Sequence, residues 1–140
     1  MSMDAERLRW WHALCHQWKE SGYDSLASAE QTWMNVRALI DSIRNGGAIS
    51  YFYNSGADNL YDYLTDLDRL GADDVKALVE EVCSLFPKPV PRGIEERNAI
   101  IDSWPDHSVD VTLERVDDAL MPKMSGLEAK LDAFLLTQKL

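Results

Sequence analysis

Asp58, Asp62 and Asp66 stand four residues apart, and Asp68, Asp73 and Asp74 follow closely. Over residues 58–74 these six acids face one base, Arg69. If Leu60, Leu64 and Leu67 form the inward stripe of a helix, the spacing predicts a solvent-facing row of carboxylates with about 6 Å of rise per step. Duplex DNA carries a phosphate every ~3.4 Å of axis along each strand, about 7 Å along the backbone path, so such a row approximates its charge spacing. Like charges four apart cost a helix a few tenths of a kcal/mol each. The row is therefore either a solvated face favoured by the helix dipole or a binding feature kept against that cost. Its chemistry is the capture of cationic groups. Glu80, Glu81, Glu95, Glu96, Asp110, Glu114, Asp117 and Asp118 widen the negative field.

Other chemistries find less support. His12 and His16 lie four apart with Cys15 between them, and on a helix the two imidazoles would stand side by side. A zinc centre needs three or four protein ligands, and the chain has no second paired motif to complete one. With no metal, Cys15 packs inward and the histidines sit at the solvated edge. There is no Gly-x-Ser-x-Gly elbow, no phosphate-cradling glycine loop and no cysteine motif with a helper histidine. Carboxylate pairs abound, yet nothing in the residue order separates a catalytic pair from solvated acids. The expectation is a non-enzymatic protein with no cofactor and no bound metal.

The formal net charge is −10, and it is unevenly spread. Residues 1–45 hold six acids and five bases and residues 119–140 hold two acids and three bases, so residues 46–118, with sixteen acids against six bases, carry all of it. Such a surface repels nucleic acid and anionic membrane and attracts basic partners. A length of 140 residues with 46% apolar and 27% charged residues suits one globular domain over residues 1–140. No run approaches the ~20 apolar residues that cross a bilayer, and the acid-containing start has no signal-peptide cleavage site. A cytoplasmic location follows, with Cys15 and Cys83 as reduced thiols.

The elements that must carry these acids read as helices. Leu8, Trp11, Cys15 and Trp18 recur at helical spacing before Gly22. Ser28 with Gln31 forms a capping box ahead of Trp33, Val36, Ile40 and Ile43. After the glycines, Ile49, Phe52 and Tyr53 fit either a short helix or an extended run. The aspartate helix closes at Leu70-Gly71, and the next carries Val75, Leu78, Val79 and Val82. Pro87, Pro89 and Pro91 make a stiff connector. Two further helices end and begin around Trp104-Pro105, and Ser125 with Glu128 caps a last one bearing Leu127, Leu131, Phe134 and Leu135. The fold class is all-α, a single compact domain of roughly six to eight helices. Of the five tryptophans, Trp10 and Trp104 are expected at the surface, where with Tyr61 or Tyr63 they could anchor a protein interface.

One corner resists explanation by helix packing alone. Residues 45–54 read NGGAISYFYN. Gly46-Gly47 fits a sharp helix exit followed at once by a new element, with Asn45 and Asn54 capping the ends. With the following NSGADNLYDYLTDLDRLGADDVKALVEEVCSLFP, this segment resembles the DNA-mimic protein 19 family, well over residues 45–87 and loosely over 28–104. The resemblance implies an all-helical, dimeric protein whose acidic side chains stand where a helix-turn-helix transcription factor expects phosphates. It also implies that Asp58, Asp62, Asp66, Asp68, Asp73 and Asp74 form the partner-binding surface. Two alternatives remain open: an immunity protein that neutralises a basic toxin, and an enzyme or metal protein using His12, His16 and acids of a cleft.

Overall fold

The computed structural model describes residues 5–87 and 89–138. Eight α-helices run through them: α1 (Ala5–Ser21), α2 (Ser28–Gly46), α3 (Ala48–Tyr53), α4 (Leu60–Arg69), α5 (Asp73–Cys83), α6 (Ile94–Ser103), α7 (Asp110–Leu120) and α8 (Met124–Thr137). Short 3-10 turns lie at Tyr23–Ser25, Ser55–Asn59 and Met121–Lys123. No strand occurs among the described residues, as the all-α expectation requires.

Helix α2 is the centre of the packing because its apolar residues recur every three or four positions. Trp33, Val36, Ile40 and Ile43 are all buried, with Leu39 beside them, and the helix touches α3, α4 and α8. Each such side chain taken from water contributes about 1.5–3 kcal/mol. Leu127, Leu131 and Leu135 of α8 complete one side of the core, and Val75, Val79 and Val82 of α5 the other. Helix α5 packs on α4 and α7, while α3 packs on α6 and α7.

Helix α1 departs from expectation. Leu14 is its buried residue, whereas Leu8 and Trp18 are each 40% exposed. Trp11 lies against Trp33 with ring centroids 5.5 Å apart, and the Arg7 guanidinium sits over the same Trp33 ring. Among the described residues, the neighbours of α1 cover a stripe through residues 7, 11, 14 and 15 and leave Leu8 and Trp18 partly in water, so the apolar face read from periodicity is wider than the one that is buried. Trp10 is exposed as expected, but Trp104 is half-buried and packs edge-on against Phe86 at 5.1 Å. Tyr63 is wholly buried. In α3 the inward pair is Tyr51 and Phe52, and Tyr53 faces outward.

Neither capping box forms. The Glu30 carboxylate accepts the Ala27 N–H at 2.8 Å, half of a box whose other half Ala27 has no side-chain oxygen to supply, and Gln31 instead donates to the Tyr23 carbonyl. Helix α8 continues directly from the turn at Met121–Lys123, so Ser125 caps nothing. Glu128 turns inward, where Arg37 and Arg44 of α2 donate to its carboxylate at 2.7 and 3.1 Å. Burial opposes ionisation there, but hydrogen bonding and nearby positive charge, with Arg37 the leading contributor and Arg44 among the others, outweigh it and hold the Glu128 carboxyl down at about 2.

Candidate functional site: the acidic surface

The glycine corner sets the direction in which the chain leaves α2 and enters α3. Gly46 is the last residue of α2, and Gly47 turns the chain with φ 81° while its N–H donates to the Ile43 carbonyl at 3.1 Å. Only a residue without a side chain fits, because a Cβ on Gly47 would lie 2.5 Å from Asp117 Oδ2. That carboxylate, from α7, accepts the Ala48 N–H at 2.7 Å and so caps the start of α3. Asn54 closes the other end, its amide donating to the Ser50 carbonyl at 2.6 Å. Asn45 is exposed in the last turn of α2 and caps neither end.

Just beyond the corner, Arg97 of α6 holds the next segment. It has no exposed surface, and all five of its N–H donors are used. Nε donates to Phe52 O, Nη1 to Pro91 O and Arg92 O, and Nη2 to Asn54 O and Asp58 Oδ1. One side chain thereby ties the end of α3, the 3-10 turn and the proline connector together.

The expected aspartate row does not form. Asp58 belongs to the turn at Ser55–Asn59, outside α4, and is paired with Arg97 at 2.8 Å. Asp66 is buried, at 4% exposure, because the inward stripe of α4 runs through Leu60, Tyr63 and Leu67 and position 66 lies at its edge, one step round the helix from Tyr63. Its carboxylate accepts from Thr32 Oγ1 at 2.8 Å, Asn35 Nδ2 at 3.1 Å and Arg69 Nη2 at 3.3 Å. Burial pushes its pKa up, and the bonds from Asn35 and Thr32 pull against that without cancelling it. Asp68 is paired with Lys76 and Asp74 with Lys123; the Lys123 hydrogen bond, helped by the Val75 N–H, holds the Asp74 carboxyl below its ordinary value. Asp62 is exposed and accepts the Tyr23 hydroxyl at 3.0 Å. Of the six, Asp73 alone has no hydrogen bond or ion pair among the described residues.

Uncompensated acidity lies instead on α6 and α7. Residues 94–120 hold eight acids and two arginines, and neither arginine offsets an acid of its own segment. Arg97 is committed to Asp58, and Arg115 pairs with Glu81 of α5 at 2.6 Å. On α7 the exposed residues Asp110, Glu114 and Asp118 stand four apart, opposite the buried Val116 and Leu120, with about 6 Å of rise per step. This is the geometry expected of α4, on another helix. Glu95, Glu96 and Asp106 are exposed with no hydrogen bond or ion pair among the described residues. Asp102 accepts the Tyr53 hydroxyl at 2.9 Å, and His107 contacts Asp110 at 2.6 Å. The four-residue spacing of Asp110, Glu114 and Asp118 was present in the sequence; the contacts of Arg97 with Asp58 and of Asp117 with Ala48, across 39 and 69 positions, left no local signal.

His12 and His16 are exposed on α1 with Cys15 half-buried between them, and no three His, Cys, Asp or Glu side chains among the described residues are grouped as metal ligands. No helix among the described residues is long and apolar enough to cross a membrane.

Fold and surface together define an all-helical acidic domain built around a glycine corner and a buried arginine clamp. The chain belongs to the DMP19-like protein family, whose model matches residues 24–138. The match reaches beyond the segment expected from the corner, taking in α7 with its carboxylate row and α8. Searches of curated proteins and of solved structures return no match.

Proposed function

We propose that this protein is a non-enzymatic binding protein that occupies the DNA-contacting face of a basic partner, such as a helix-turn-helix transcription factor, and so keeps that partner off DNA. The observation that supports this most directly is the row Asp110, Glu114 and Asp118 on α7, exposed and with no lysine or arginine paired to it among the described residues. A partner surface that receives phosphates meets carboxylates at comparable intervals, and the attraction is strengthened by the net charge of −10. Membership of the DMP19-like family supports the same function. Asp62 and Asp73 join the acidic surface, while Asp58, Asp66, Asp68 and Asp74 act first within the fold. A homodimer is part of the proposal, with Trp10 and Trp18 of α1, 43% and 40% exposed, supplying apolar surface for it.

The test is a competition. A basic protein captured by the wild-type chain should be displaced by duplex DNA and released steeply with salt. Reversal of Asp110, Glu114 and Asp118 to lysine should abolish capture. Capture that survives the triple reversal, or that duplex DNA cannot displace, overturns the proposal.

A further inference from the structure

Between α4, α5 and the proline connector lies a cleft of about 500 Å³, whereas the clefts beside Asp62, Lys123, Trp10 and Trp18 measure 160–200 Å³. A volume of several hundred Å³ with mainly apolar walls is characteristic of small-molecule sites. Tyr61 and Leu64 of α4 form one wall, Cys83 of α5 a second, and Val90 of the connector a third. Residues 90–92 of the connector are pinned in place: the Tyr61 hydroxyl donates to Val90 O at 2.9 Å, and Arg97 Nη1 donates to Pro91 O and Arg92 O at 3.2 and 2.6 Å. The space is therefore pre-formed, which lowers the ordering cost of filling it.

The polar groups of the cleft define what it selects. Tyr61 and Ser84 both commit their hydroxyl hydrogens to backbone carbonyls, Ser84 to Glu81 O, which leaves each oxygen able only to accept. Burial keeps the Cys83 thiol protonated, with its pKa raised to about 11, so it offers an apolar surface and a weak donor. Glu80 is exposed at the rim and has no hydrogen bond or ion pair among the described residues. Arg92 is stacked over the Tyr61 ring at 5.2 Å and does not line the cleft. An apolar body with a cationic head satisfies this set, whereas an anion would face Glu80.

We propose that this cleft binds an amphiphilic organic cation, an ammonium or amidinium group on a hydrocarbon chain or ring, with the body against Leu64, Cys83 and Val90 and the cation at Glu80. The site is independent of the acidic row on α7 and of any protein partner.

Octylammonium, octanol and octanoate, each titrated into the full chain by calorimetry at fixed ionic strength, test this. Octylammonium is expected to bind one to one, about threefold or more tighter than octanol, with octanoate weakest. It should also slow alkylation of Cys83 by N-ethylmaleimide and leave Cys15 unaffected, as read by peptide mass spectrometry. Glu80→Gln, a surface change, should erase the preference for octylammonium over octanol while octanol binding persists, and Leu64→Trp should remove binding of both. No binding, equal protection of Cys15 and Cys83, or an ammonium preference that survives Glu80→Gln overturns the proposal.

Discussion

Arg97 Nη2 donates to Asp58 Oδ1 at 2.8 Å from a side chain with no exposed surface. The first acid of the densest acidic stretch is thus consumed by a base that comes 39 positions later in the chain. The same happens at Asp74, whose partner Lys123 lies 49 positions away. Charge counted along the sequence therefore overstates the field above α4 and understates that above α6 and α7.

Removing the clamp should be costly. Arg97→Lys keeps the charge but offers three donors with no planar fork, leaving buried carbonyls without partners. Urea unfolding should show a loss of about 3–5 kcal/mol for this variant. Asp58→Asn keeps an acceptor oxygen and should cost about 1 kcal/mol. Equal effects of the two substitutions would mean that the carbonyl contacts of Arg97 contribute little.

Gly47 and Asp117 should behave as a coupled pair. Gly47→Ala forces a side chain into positive φ and against the Asp117 carboxylate, and is expected to destabilise by about 2 kcal/mol or more. Asp117→Ala removes the cap on α3 and should cost about 1 kcal/mol. In the double variant the clash is gone, so the combined loss should fall short of the sum by about 0.5 kcal/mol or more, the smallest coupling expected of contacting residues. Strict additivity in a thermal or urea double-mutant cycle would refute the contact.

Glu128 sets part of the acid limit. Its folded pKa, about 2, lies below the ordinary value of 4.5. A depressed carboxyl stabilises the fold fully above the unfolded value and loses that contribution as pH falls from about 4.5 toward 2. The wild-type protein should lose about 2–3 kcal/mol more over that interval than Glu128→Gln. At pH 7 the variant should be the less stable, since Arg37 and Arg44 lose a charged partner. Parallel pH profiles for the two proteins would contradict this.

Much of the fold was legible because helical periodicity is local. The stripe Trp33, Val36, Ile40 and Ile43 and the leucines of α8 needed only their own spacing, and Gly47 and Asn54 announced a corner by residue type. The illegible part depended on distant partners. Periodicity marks the apolar face of α1 but not how much of it a neighbour covers, so Trp18 reads as core and stands half in water. A serine followed by glutamate reads as a cap, yet the guanidinium of Arg37, 91 positions away, draws Glu128 inward. The carboxylate row read for α4 does not form there, and the same spacing is found exposed on α7, because only tertiary contacts reveal which acids already have a base.

Asp66 and the α7 row separate structure from binding. Asp66→Ala leaves Thr32 Oγ1 and Asn35 Nδ2 without their buried acceptor, and urea unfolding should show a loss of about 2–3 kcal/mol. Burial holds the Asp66 pKa above its ordinary value, so its ionised form is less favourable folded than unfolded. Its contribution is present in full at low pH and is lost as pH rises through the raised value, opposite in sign to that of Glu128. Once folded, Asp66→Ala should capture a basic partner within about twofold of wild type, since the lost charge lay under the surface. Glu114→Lys with Asp118→Lys should do the reverse, changing stability by no more than about 0.5 kcal/mol per site while weakening capture about tenfold or more. If Asp66→Ala weakened capture and the α7 reversals did not, the partner would be reading α4, and the row on α7 would be a solvated face and nothing more.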